Sequence, residues 1–142
     1  MGQAIYHLLD HTADLRVRLE ADSLEGLFQS ALDAIRELAY EGRPLAPGPR
    51  QQTVAITEDA SDLGEALVLF CNDVLYEVAV RGLVPWRLVS FTWAAGSLEA
   101  QVEATPPPLG VAPERELKAA TYGGLEIAEQ DGHWLAVLVF DV

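Results

Sequence analysis

Cysteine is nearly absent from this chain of 142 residues: Cys71 stands alone. A single cysteine excludes an intrachain disulfide and a cysteine-based zinc site. Basic residues are scarce too, nine against 22 acids, for a net charge of −13. They form no run, and a surface that acidic repels phosphate backbones, which argues against unaided binding of nucleic acid. No apolar run approaches the roughly 18 residues of a membrane span. The N-terminus lacks a basic stretch followed by an apolar one, so no signal peptide is expected. Also missing are a glycine-rich phosphate loop, a serine nucleophile elbow and an HExxH pair. These absences point to a soluble, cytoplasmic protein with no membrane partner and no complete catalytic constellation of its own.

Half of the residues are hydrophobic, enough for a globular core, and the length predicts one domain over residues 1–142. Ile5 to Leu9 and Leu15 to Leu19 read as short strands. The second alternates, with Leu15, Val17 and Leu19 on one face and Arg16, Arg18 and Glu20 on the other. Asp22-Ser23 is a helix N-cap signal, and Leu24, Leu27, Phe28, Ala31, Ile35 and Leu38 recur at helical spacing after it. An amphipathic helix over Ser23 to Ala39 follows. A second helix is expected from Asp62 to Arg81, with Gly82 to end it. The prolines and glycines of Tyr40 to Arg50 and Thr105 to Pro113 mark loops. Strands are predicted at Gln52 to Thr57, Arg87 to Trp93, Ser97 to Thr105, Glu116 to Tyr122, Leu125 to Glu129 and Trp134 to Phe140. Ala95-Gly96 and Asp131-Gly132 read as tight turns. The pattern is α+β: a mixed or antiparallel sheet with two amphipathic helices packed on it.

The densest chemistry lies in Asp10-His11-Thr12-Ala13-Asp14, at the mouth of the second strand. The chain closes with Asp141 and Val142 directly after the last strand. Were those strand ends to meet, the carboxylates of Asp14, Asp141 and Val142 would offer oxygen ligands suited to calcium, or to magnesium or manganese. Spacing alone favours the plainer reading, with Asp14 capping a turn and Asp141 solvated. His11 is either a ligand or proton carrier, or a turn stabiliser. Lys118 is a partner for phosphate or carboxylate, or a solvent-facing strand residue. Asn72 and Tyr76 either touch the same site or cap the sheet. His7 reads as structural and His133 as exposed. Cys71 reads as a buried packing residue, not a nucleophile.

Four segments in order resemble the archease family: His11-Thr12-Ala13-Asp14 with Ser23 to Phe28 behind it, Phe70 to Tyr76, Glu116 to Tyr122, and Val139 to Val142. They spread from one end of the chain to the other, which makes them more specific together than any one alone. The resemblance implies a small α+β activator of the RtcB-type RNA ligase, promoting guanylylation of the ligase histidine and multiple turnover in tRNA splicing and RNA repair. It implies a metal, calcium first, at Asp14, Asp141 and Val142, which reverses the plainer reading of those residues. His11 and Lys118 would face the ligase or its nucleotide. Two departures stand out. Gly123 occupies a position where the family often has His, and Phe70 and Cys71 replace Trp and Leu in the second-helix motif. The alternative function is an RNA-processing chaperone or adaptor that modulates another enzyme, such as a tRNA methyltransferase. A stand-alone metal-dependent hydrolase fits less well, since no nucleophile or base pair is recognisable.

Overall fold

Nine regular elements follow one another in the computed structural model, which describes residues 4–11 and 14–142, and of residues 8–11, 123 and 124 the backbone alone. They are β1 (Ile5–His11), β2 (Asp14–Ala21), α1 (Leu24–Ala39), β3 (Gln52–Asp59), α2 (Leu63–Ala79), β4 (Val84–Ala94), β5 (Ser97–Thr105), β6 (Ala119–Gln130) and β7 (His133–Asp141). The strands divide between two sheets, of order β1-β2-β7-β6 and β3-β5-β4. Every pairing is antiparallel. The α+β expectation holds, with its one sheet resolved into two. Both sheets and both helices share a core in which Leu19, Phe28, Phe70, Leu98 and Phe140 are fully buried.

Local signals set the element ends. The Ser23 hydroxyl accepts a hydrogen bond from Gly26 N–H at 2.9 Å and starts α1. The Asp62 carboxylate accepts one from Glu65 N–H at 2.8 Å and starts α2. Each side-chain oxygen satisfies a backbone donor that the first helical turn leaves without a partner. Gly82, at φ +66°, turns the chain away after α2. The turns Ala95-Gly96 and Asp131-Gly132 hold all four residues at positive φ, as two-residue hairpins require.

One expectation is corrected. Glu116 to Tyr122 and Leu125 to Glu129 are not two strands split at Gly123-Gly124. A single strand, β6, runs from Ala119 to Gln130 through the glycines, and residues 116–118 precede it. Thr121 lies opposite Val139 and Glu126 opposite Val137, so residues 122–125 face Leu138 alone. Two glycines let the chain bulge where a turn was expected. Among the described residues no helix is long and apolar enough to cross a membrane.

Candidate functional site

The site begins with the pairing of β2 and β7. Leu15 stands opposite Phe140, Val17 opposite Leu138 and Leu19 opposite Ala136, and all six are buried. A slip by one residue would turn this whole set to solvent, so the core fixes the register. The same register sets Asp14 directly opposite Asp141. Because side chains alternate along a strand, both aspartates lie on the face away from Leu15 and Phe140. Cβ atoms of directly opposed residues are about 5 Å apart, and like charges in that arrangement destabilise a ladder. A cation held between them reverses that effect.

The other edge of β7 supplies the rest. Ala119 lies opposite Asp141, and Lys118 N–H donates to the Asp141 carbonyl at 2.8 Å. Lys118, the single lysine of the chain, is exposed at this end of the sheet. Val142 follows with its side chain packed against the core. Asp14, Asp141, Val142 and the Lys118 backbone are thus brought to one end of the four-stranded sheet. His11 ends β1 with its backbone opposite Leu15. Its side chain, and Thr12 and Ala13 entirely, lie outside the described residues.

These donors suit a hard cation. Two carboxylates and the main-chain oxygen of Val142 are all oxygen, as calcium, magnesium and manganese prefer. Among the described residues no three His, Cys, Asp or Glu side chains are grouped to hold a metal. The expected set has only two such side chains, so its third ligand must come from backbone, water or a partner.

Asn72 reaches the same region from α2. Its carboxamide oxygen accepts from Ala120 N–H at 2.8 Å, and its NH₂ donates to the Ala120 carbonyl at 3.3 Å. Of the two readings left open for Asn72, the structure shows a sheet cap. Tyr76, one turn further on, is exposed.

Other chemistry-bearing residues lie elsewhere. Cys71 is fully buried, and burial pushes its thiol up, away from reactivity. His7 is exposed and pairs with Glu20 at 3.0 Å. His133 is also exposed, and it sits 3.3 Å from Asp22 and 3.4 Å from Glu20. Its bonds to Asp22 and then Glu20 favour the imidazolium and raise its pKa. Sequence reasoning passed over Asp73. Burial, then a hydrogen bond and charge repulsion from Glu58, then Glu77, push its carboxyl up to about 7. A signal was present, for Asp73 and Glu77 are like charges four residues apart on one helix.

The chain as a whole has relatives. Residues 6–142 match the archease protein family (MTH1598/TM1083). Protein archease of Methanosarcina mazei is 27% identical, over 96% of this chain and 95% of that protein. Protein archease of Methanopyrus kandleri is 30% identical, over 94% of this chain and 96% of that protein. The solution structure of protein 1598 from Methanobacterium thermoautotrophicum superposes with a TM-score of 0.75 at 20% identity, covering 96% of this chain and 98% of that one. The crystal structure of an archease described as a possible chaperone, from Thermotoga maritima, gives 0.62 at 20% identity, covering 96% of each chain. At that identity the two structures bear on the fold, and the family match bears on kinship: the chain belongs to the archease family.

Proposed function

We propose that this protein is an accessory activator of a GTP-dependent RtcB-type RNA ligase, acting in tRNA splicing and RNA repair. Membership in the archease family supports the reading. The observation that carries it is the register that sets Asp14 against Asp141, with Lys118 beside them. Asp14, Asp141 and the main-chain oxygen of Val142 hold a divalent cation, calcium first and magnesium or manganese next. A divalent cation neutralises charge that develops on a reacting triphosphate. The chain's own part is to present that end of the sheet to the ligase active site. Lys118 offers an ammonium to a phosphate oxygen there, and His11, three residues before Asp14 in the chain, is the second residue assigned to the partner or its nucleotide. The ligase histidine is the nucleophile, so the activator needs no nucleophile of its own.

The test is guanylylation and repeated ligation by an RtcB-type ligase from the same source, with GTP and manganese. Substoichiometric protein is expected to convert a single-turnover ligase to repeated turnover. Asp14→Ala and Asp141→Ala are expected to fold normally by circular dichroism and to leave the ligase at its unassisted level. Full activation by either variant would sink the assignment. The second reading, an RNA-processing chaperone or adaptor for another enzyme such as a tRNA methyltransferase, draws on the description of the Thermotoga maritima relative. It predicts no effect on the ligase at any stoichiometry and retention of a different partner.

A further inference from the structure

We propose that Asn72 is a positioning residue for the Asp14–Asp141 site, an inference that rests on reading that site as a cation site. β6 is an edge strand of its sheet, so among the described residues its N–H and C=O groups have no ladder on the side away from β7. Ala120 is buried, where a backbone group without a partner is costly. Asn72 supplies what a neighbouring strand would. Its carboxamide presents an acceptor oxygen and an NH₂ donor in a peptide-like plane, and both groups engage Ala120.

The clamp matters because the ladder it anchors is short. Next to Asp141, β6 pairs regularly with β7 only from Ala119 to Thr121. The bulge at residues 122–125 interrupts it on one side, and the strand begins at Ala119 on the other. Pairing further along β6 therefore cannot carry the register down to Asp141. Ala120 is the middle residue of this segment, opposite Phe140. One residue back, Ala119 faces Asp141. Two residues back, Lys118 N–H holds the Asp141 carbonyl. A rigid helix thus holds, through one side chain, the β6 backbone that flanks the end of β7 on the side away from β2, and with it the Asp141 carbonyl bonded to Lys118 N–H. Asp at position 72 could still accept from Ala120 N–H, but it would place an acceptor against the Ala120 carbonyl. Ala would remove both bonds.

The experiment uses the full chain and titrates calcium and manganese by calorimetry. The wild type is compared with Asn72→Asp and Asn72→Ala, at a temperature where circular dichroism shows each folded. Ile56→Val, a core change in the other sheet, controls for general loss of stability. The expected result is an affinity weakened about tenfold or more in both Asn72 variants, as for other residues that orient metal ligands, and unchanged in Ile56→Val. Wild-type affinity in the Asn72 variants overturns the inference and leaves the cation site standing. No binding by the wild type overturns the cation site itself. Amide exchange in the wild type gives a second measurement that needs no variant. Slow exchange at Ala120 and Lys118 is expected, and exchange at the rate of an open strand edge overturns the clamp.

Discussion

Asp73 stands between Asn72, which is bonded to β6, and Val74, which is buried. Its carboxyl is pushed up to about 7, from an ordinary 3.8, by burial first and then by Glu58 and Glu77. The sign of the linkage follows. The folded protein holds a proton here that the unfolded chain releases near its ordinary value, so stability falls as pH rises from about 4 through about 7. Above that window the ionised group destabilises the fold. Asp73→Asn is therefore expected to raise the unfolding free energy at about pH 8 by about 1–2 kcal/mol, the shift being discounted because the side chain is only partly buried. At about pH 5 the gain should shrink markedly. Urea unfolding of both proteins at the two values is the check, and parallel pH slopes would show that Asp73 titrates normally. The comparison must be between proteins, because approaching the isoelectric point of 4.4 relieves self-repulsion in both.

Elements differ in how much of their making is local. The N-cap of α1 is written in Ser23 and the turn after it, and Ser23→Ala is expected to cost about 1 kcal/mol. For a domain of this size that lowers Tm by roughly 3 °C, read by thermal unfolding, while Ser23→Asp should restore it. An unchanged Tm in the alanine variant would mean that the packing of Leu27, Phe28 and Ile35 sets the helix start instead. Caps, helix periodicity and the turns at Ala95-Gly96 and Asp131-Gly132 depend on neighbours a few residues apart, which is why the sequence alone shows them. Strand partnership does not. Alternation marks β2 as half buried but does not say that β7, more than a hundred residues on, pairs with it, nor that β3, β4 and β5 form a sheet of their own. Glycines at 123 and 124 signal a break in regular backbone, yet whether the chain turns or bulges is decided by Val137 and Val139 on the facing strand. The candidate site shares this limit. Its aspartates are visible as strand-end acids, but their meeting is a consequence of long-range register, and spacing alone favoured leaving them apart.

Over the whole molecule the charge is one-sided, and the structure shows how little of it the basic residues offset elsewhere. Six arginines, Arg18, Arg36, Arg43, Arg81, Arg87 and Arg115, each sit within 4 Å of an Asp or Glu oxygen. Such pairs cancel positive charge locally, while the net charge of −13 remains as a long-range field. Under the proposed function the partner is an RNA ligase, which must hold a polyanion in its cleft, and a basic surface of that kind would attract an acidic protein of this size. Attraction at a distance acts on encounter, whereas contacts formed after docking act on escape. Association with an RtcB-type ligase is therefore expected to slow about tenfold or more between roughly 0.05 and 0.3 M salt, as the screening length falls below the distance over which the two surfaces steer each other. Dissociation should change far less. Stopped-flow or surface-based kinetics across that range separate the two rates. A salt-insensitive association rate would mean that the acidic surface serves solubility alone. It would leave recognition to the Asp14–Asp141 end of the sheet, where charge reversal at Lys118 would then be the change that alters binding.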